Sequence, residues 1–513
     1  MNQQAAITSA AQRAIAALFP SDRISADLPD RIAYSRDLWP RTLIGLREGQ
    51  HRPFEPDTVV WPVSLDELRA LIEVSIEHRF ALIPFGGGSG VCGGAVAQNG
   101  GVIVDLKRLD QITQLCDVNL LADVQAGIIG QTLEDQLNVR GLTLGHFPSS
   151  IRCSTLGGWL ATRSAGQCSS RYGKIEDMVD SVGFIDGTAR YRRVDRANNR
   201  QQLEAIIGSE GVFGFITDAT MRLAHLPQTR MFLAYRVPSV ERGCEALRRI
   251  LQAGLRPAVL RLYDELDTLL SSPAGDRSPS ALSRATHALT HGGAGKALQN
   301  RLLSTALRKA GNLSRIGANL ADRLRRGCLM IVGVEGDRAL AEAEAAYCHE
   351  QIICCEGDRL DDEIGISWFE NRYGVSFKMS PLFMANAFVD TMEVAAPWHK
   401  LMRVYRDVHQ ALSADALVLA HFSHAYTDGC SIYFTFVSRG SDRTGAQALY
   451  DRLWQSALAA ADTAGAAVSH HHGIGLAKAE FMKAEHGHGM TTLRALKTVF
   501  DPHGIMNPGK LGL

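Results

Sequence analysis

Nowhere do the 513 residues offer the ~18 uninterrupted apolar positions that a membrane-spanning helix needs, so no such helix is expected. An excess of either charge is also missing: 54 basic and 54 acidic side chains give a formal net charge of zero. That argues against a global field for nucleic acid or for a membrane surface, although a local patch escapes such an average. Met1 to Pro20 has neither a charged start nor a continuous apolar core, so it does not read as a secretory signal. The ten cysteines lack C-x-x-C spacing, and Cys354 and Cys355 are too close for ordinary bridge geometry. Reduced, mostly buried thiols in a cytoplasmic protein are the expectation. What remains is ordinary for a globular chain, 46% hydrophobic and 21% charged, with enough length for two or three packed units.

The first dependable element is a strand from Thr58 to Val63. A helix follows it, with Ser64 and Glu67 in capping-box spacing and Leu65, Leu68, Ile72 and Ile76 as its apolar stripe. The strand Ala81–Pro84 then runs into Pro84-Phe85-Gly86-Gly87-Gly88-Ser89-Gly90. Further strands are expected at Val102–Leu106, Leu121–Gln125 and Val182–Ile185, with a helix near Gln131–Asn138. After Pro227 the pattern gives a strand (Met231–Arg236), a helix (Val240–Gln252) and a strand (Ala258–Asp264). A Ser/Gly-rich loop spans Ser271 to Gly295, and strands return at Leu329–Val334 and Ile432–Val437.

Gly88 to Gly93 satisfies G-x-G-x-x-G, but a Rossmann site needs a helix opening directly behind the loop to face the pyrophosphate. Here Gly94 to Gly101 is too short and too glycine-bounded for one, and no Gly-Lys-Ser/Thr follows to make a P-loop. A tight turn needs one or two glycines, not three plus Ser-Gly. Consecutive glycines do let the backbone aim several N–H groups at one anion, so a phosphate-binding loop of another kind is expected.

Three later segments accompany it: Gly145-His146-Phe147-Pro148-Ser149-Ser150 leading to Ser154-Thr155-Leu156-Gly157-Gly158-Trp159, then Thr162-Arg163-Ser164-Ala165-Gly166, then Ile206 to Thr217 with Glu210, Gly211, Gly214 and Ile216. With the ending Asp501-Pro502 and Asn507-Pro508-Gly509-Lys510, their order resembles the vanillyl-alcohol-oxidase/p-cresol-methylhydroxylase flavoproteins. Ile175-Glu176-Asp177, Val334-Glu335-Gly336-Asp337, Ala395-Ala396-Pro397-Trp398, Ile432-Tyr433-Phe434 and Ser469 to Gly475 extend the resemblance to the alkyldihydroxyacetonephosphate synthase family, over nearly the whole chain except 1–30 and about 270–326.

The resemblance implies an α+β protein: an N-terminal helical segment (1–55), a two-subdomain FAD-binding domain (56–225), a substrate-facing cap with a mixed or antiparallel sheet (226–465, with 270–326 variable), and a C-terminal piece (466–513) that completes the site. It implies that 84–90 cradles the FAD pyrophosphate, completed by His146, Pro148 to Ser150, Ser154, Thr155, Gly158, Thr162 to Ala165, and Glu210 to Ile216. Some relatives attach the flavin through a histidine where Gly88 stands, so a non-covalent flavin is expected.

Tyr433, alone, reads as a core or cross-strand tyrosine; the resemblance makes it a catalytic phenol that takes a proton from substrate. Such a group, with a reference pKa of ~10, needs a nearby cation to act as a base. His470, His471 and His472 are the other catalytic candidates, with His470 and His472 sharing a face if the segment is extended. Substrate-binding candidates are Arg261, His421, His424 and Lys378. The last stands beside Met379, where the synthases carry an arginine, and lysine lacks that arginine's bidentate fork. A metal is not expected. Metal-dependent D-2-hydroxyacid dehydrogenases of the superfamily place Glu-His where His471-His472 stands, and Gly-Asp-Gly-Asn-x-His where this chain reads Asp428-Gly429-Cys430-Ser431-Ile432-Tyr433. His421, His424, His486 and His488 are the remaining imidazoles that a metal would draw on.

On this reading the chain is an FAD-dependent oxidoreductase, oxidising a hydroxyl-bearing carbon of a small or lipid-like organic acid. The alternative is an alkylglycerone-phosphate synthase that exchanges acyl for alkyl through a flavin adduct without net redox. A metal-assisted D-2-hydroxyacid dehydrogenase is the third option. The basic stretch Lys296–Arg326 reads as solvated surface helices, with peripheral contact to an anionic membrane as the rival use. A homodimer is the expectation carried from relatives.

Overall fold

The structure, a computed structural model, describes residues 7–49, 54–271, 327–374, 387–440 and 445–513. The basic stretch Lys296–Arg326, most of the Ser/Gly-rich loop, and Lys378 with Met379 lie outside the described residues. The fold is α+β, and the chain divides into two compact units: residues up to Gly166 with Tyr172–Leu226 and Ser469–Leu513, and Gln167–Arg171 with Pro227–Val468.

In the first unit a four-stranded sheet runs Ile24–Ser25, Thr58–Val60, Val102–Asp105, Leu82–Phe85. Its last three strands are parallel, and the first pairs antiparallel. The helix Leu65–His78 starts where Ser64 accepts a hydrogen bond from the Glu67 N–H (3.2 Å) and ends at Arg79 in the left-handed region (φ 59°). Its apolar stripe, Leu68, Leu71 and Ile72, packs with Val60, Leu82, Val102 and Val104 in the core. A five-stranded antiparallel sheet follows in the order Ile112–Cys116, Leu121–Gln125, Gly214–Arg222, Val179–Asp186, Tyr191–Asp195.

The second unit is built on a seven-stranded sheet, antiparallel throughout: Asp358–Arg359, Thr229–Val237, Cys328–Gly336, Val259–Tyr263, Leu417–Ala425, Gly429–Ser438, Phe388–Pro397. Period-two alternation divides its residues between two faces. Leu262, Phe422 and Phe434 share one face: Gly243 of the helix Val240–Gln252 lies against Leu262, and Tyr405 of the helix Trp398–Ser413 packs its ring against Phe422 and Phe434. The alternate residues of the same strands, Arg261, Tyr263, His421, Tyr433 and Glu393, share the other.

Candidate active site

In the first unit the segments singled out in the sequence come into close contact. A Cβ on Gly86 would lie 2.3 Å from Thr155 Oγ1, one on Gly87 1.7 Å from the Cys153 carbonyl oxygen, and one on Gly211 2.2 Å from Pro84 Cγ. The glycines are therefore required by the close approach of three loops. Gly88 has φ +62°, and a Cβ there would meet the Phe85 ring at 2.4 Å. Among the described residues, no protein acceptor meets the N–H groups of Gly87, Gly88, Ser89 or Gly90. Lys107 braces the loop from beneath, its Nζ donating to the Gly86 carbonyl (2.9 Å) and to the buried Asp105 (2.6 Å).

The remaining cofactor candidates divide by what their side chains hold. Thr155 caps the helix Leu156–Thr162 by accepting from the Gly158 N–H (3.2 Å), and Thr162 Oγ1 donates to the Gly158 carbonyl (3.0 Å). Ser154 accepts from Trp159 Nε1 (2.8 Å) and donates to the Ser150 carbonyl, in the turn where the Ile151 N–H meets the Pro148 carbonyl; Ser149 lies in that same turn. Arg163 ends the helix in the left-handed region (φ 53°), with its guanidinium engaged by the Glu204 carbonyl and Glu176, so it serves as a cap and surface pair. Ser164, four residues along from Leu160 and next to the buried Ala165, is 3.2 Å from His146 Nε2. Gly214 and Ile216 lie in the strand Gly214–Arg222, where a Cβ on Gly214 would strike the Ile185 carbonyl at 2.1 Å.

Glu210, expected in the FAD site, belongs to a buried acid–base group with Lys510 and with Asp37, which the sequence did not single out. Glu210, at φ 48°, accepts from the N–H groups of Ile474 (2.5 Å) and Gly475 (2.7 Å). Burial pushes its carboxyl up, raises Asp37 to about 7, and lowers Lys510 to about 8. Asn507 ties the group together by donating to the carbonyls of Gly94 (3.0 Å) and Glu210 (2.6 Å), while the neighbouring backbone pairs with Leu82. The partners are separated by hundreds of residues; the Ile206 to Thr217 segment and the Asn-Pro-Gly-Lys ending signal Glu210 and Lys510 in the sequence, and nothing signals Asp37.

The triple histidine departs from the expected geometry. Residues 470–472 form a bend rather than a strand, so alternation does not apply. Neighbouring rings meet instead: His470 Nδ1 is 3.1 Å from His471 Nδ1, and the His471 and His472 rings stand edge to face at 4.6 Å.

His146 is fully buried against Trp159, and burial holds its imidazole down to about 3. A histidine depressed in the folded state contributes stability that is complete above its ordinary value near 6.5 and is lost as pH falls toward 3. His146→Gln is therefore expected to make the urea midpoint less sensitive to acid between pH 6.5 and 4, by up to ~1.4 kcal/mol per pH unit for the one proton removed. Equal slopes in the two proteins would contradict this assignment.

In the second unit strand register assembles a polar row. Glu393 pairs with Tyr433, Tyr433 with His421, and His421 with Tyr263 across four neighbouring strands. Cross-strand partners share a face, which brings these side chains together. The His421 ring stacks on Tyr433 at 4.7 Å, and the Tyr433 hydroxyl donates to Thr391 Oγ1 (2.9 Å). Burial pushes the Tyr433 phenol up to about 12, against the downward pull of Thr391 and the Arg261 charge. His421 does not supply the cation: burial, then Arg261, lowers it to about 4, and its Nε2 accepts from Arg261 Nη2 (2.7 Å). His424 sits at a bulge (φ 52°) with its Nδ1 2.8 Å from Ser169 Oγ, so His421 and His424 have different partners. The guanidinium lies over the rings of Tyr263 (5.4 Å) and Trp368 (5.6 Å).

Comparison with known proteins gives the family of the chain. The profile of the C-terminal domain of FAD-linked oxidases matches residues 226–511, and that of an FAD-binding domain matches 56–195. The chain belongs to the FAD-linked oxidase family. This flavoprotein is 30% identical to alkyldihydroxyacetonephosphate synthase of Dictyostelium discoideum, over 97% of its own length and 80% of the relative's. A solved alkyldihydroxyacetonephosphate synthase is similar at a TM-score of 0.76 and 26% identity, covering 98% of this chain and 85% of that one. Substrate-bound p-cresol methylhydroxylase shares the fold (TM-score 0.69, 13% identity, 99% of this chain and 98% of that one). The flavoprotein is an FAD-dependent enzyme of the p-cresol-methylhydroxylase type, and its cofactor is non-covalent. The unpaired N–H groups and the cradle that side chains would fill fit a pyrophosphate, and a linking histidine in place of Gly88 would be strained at φ +62° and would strike the Phe85 ring. Among the described residues, no helix is long and apolar enough to cross a membrane.

Proposed function

We propose that this flavoprotein exchanges the acyl group of an acylated dihydroxyacetone phosphate for an alkyl group, and does not oxidise a 2-hydroxy acid. The observation that carries this reading is the Arg261–His421–Tyr433 row, which places a guanidinium suited to a phosphate beside a buried phenol on one sheet face. The similarity to synthases over nearly the whole length supports it. A metal-assisted dehydrogenase is disfavoured because His421 Nε2 faces a guanidinium, which occupies its lone pair and repels a cation.

The exchange balances without an electron acceptor. The bond between the substrate carbon and the ester oxygen breaks, the oxygen of an incoming alcohol bonds to that carbon, and a carboxylic acid leaves with the alcohol's proton. FAD, when bound, supplies an electron-poor ring that stabilises charge at the reacting carbon. Gly87 to Gly90 hold its pyrophosphate, and Glu210, Thr155 and Asn507 keep the loops around it in place. Arg261 binds the substrate phosphate. Tyr433, a protonated phenol at rest, delivers and regains the proton under the restraint of Thr391 and the His421 ring. His470 to His472 are retained as catalytic candidates, and Lys378 and His424 as secondary substrate contacts.

The reading is tested anaerobically with acyl-dihydroxyacetone phosphate and a long-chain alcohol. Fatty acid release while the flavin spectrum stays oxidised is expected. Bleaching by 2-hydroxy acids, with no fatty acid released, would instead favour the oxidoreductase.

A further inference from the structure

Arg261 is the cation beside the Tyr263–His421–Tyr433 row, and something must fix where its planar fork points. It lies over the rings of Tyr263 and Trp368, but ring contacts of this kind leave the direction of its N–H groups open. One Nη2 hydrogen is directed at His421 Nε2 (2.7 Å). A guanidinium only donates, so Nε2 must carry the lone pair and the ring proton must sit on Nδ1. His421 Nδ1 faces Asp267 Oδ2 at 3.4 Å. Asp267 is placed by the first turn of the helix Glu265–Ser271, where its own N–H donates to Asp264 Oδ1 (2.7 Å). Carboxylate, neutral imidazole and guanidinium thus follow one another in a single line. At its far end Arg261 Nε is buried with no acceptor among the described residues, so donor capacity remains for a ligand.

We propose that Asp267 is a positioning residue: through the Nδ1–H tautomer of His421 it orients Arg261, whose unspent N–H groups receive the anionic group of the substrate. Naming that anion as a phosphate ester rests on the synthase reading above. The orientation itself does not. Asp267 does not touch substrate; without its acceptor the imidazole is free to protonate at Nε2 instead, which would turn a donor toward Arg261 and expel the fork from its place.

The test uses the FAD-loaded full chain with ¹⁵N-histidine, His421→Gln serving to assign the His421 signals. The expected wild-type result is a neutral ring protonated at Nδ1. Asp267→Ala should give a mixed or Nε2-protonated ring, whereas Asp267→Asn, which keeps an acceptor oxygen, should restore Nδ1–H. In kinetics, Asp267→Ala should raise KM for acyl-dihydroxyacetone phosphate by about tenfold, as expected for loss of one charge-assisted contact, with a far smaller change in kcat, and Asn should recover most of it. A wild-type ring protonated at Nε2 would overturn the proposal and requires no stable Asp267 variant. An Asn variant as poor as Ala, with the ring still protonated at Nδ1, would overturn it too. Absence of any turnover with this substrate, beside the expected tautomers, would instead remove the synthase reading and leave the positioning role intact.

Discussion

Gly87→Ala is expected to yield a colourless protein that binds added FAD at least about a hundredfold more weakly than the wild type, through misplacement of the pyrophosphate donors. The backbone angle is not the obstacle, because Gly87 does not have a positive φ. Space is. The new methyl would lie 1.7 Å from the Cys153 carbonyl oxygen and 2.7 Å from its carbon, both main-chain atoms in a turn that cannot swing aside as a side chain would. The two loops would have to separate, and the N–H groups of Gly87 to Gly90 would no longer converge. Gly90→Ala is the control: its Cβ meets only Asp37 Oδ2, at an ordinary 3.6 Å. Apoprotein melting should therefore be nearly unchanged by the second substitution and lowered by the first. FAD binding by Gly87→Ala at wild-type affinity, measured by fluorescence titration, would contradict the assignment of this loop.

Tyr433→Phe is expected to lower kcat by about 10²–10⁴, the usual contribution of a positioned acid–base group, while KM changes little. The phenol donates one hydrogen bond, to Thr391, and its ring keeps its stack on His421 whether or not the hydroxyl is present. The stability cost should thus stay near ~1 kcal/mol, the ordinary net worth of a single hydrogen bond. With the phenol pushed up to about 12, activity should also persist without a falling limb up to pH 9, because the protonated form dominates throughout. Wild-type turnover in the phenylalanine variant, measured with whichever substrate is active, would remove Tyr433 from the chemistry.

Much of this site was legible in the sequence where the signal is local. Ser64 and Glu67 announced a helix start, and the structure places the cap there, although Glu67 turns its own carboxylate to the Val63 N–H. The helix Val240–Gln252 has the bounds its apolar spacing implies. The glycine loop was readable because Gly86, Gly87 and Gly88 each answer a steric demand, yet the objects that Gly86 and Gly87 avoid, Thr155 and Cys153, come from a loop some 65 residues later. Long-range pairings were not legible. Asp37, Glu210 and Lys510 meet only in the folded unit, and ordinary acidic and basic letters give no hint of burial. The His421–Tyr433 stack falls between these cases: Asp428-Gly429 is a hairpin signal that would have set the two strands in register. The triple histidine misled because alternation was assumed for a segment that bends.

Product analysis with an ¹⁸O-labelled long-chain alcohol separates a non-redox exchange on non-covalently bound FAD from an oxidation. Exchange gives an ether-linked dihydroxyacetone phosphate that carries the label, an unlabelled fatty acid in equal amount, and turnover that needs no electron acceptor. A keto product, reduced flavin, or turnover that appears only when an electron acceptor is supplied would contradict it.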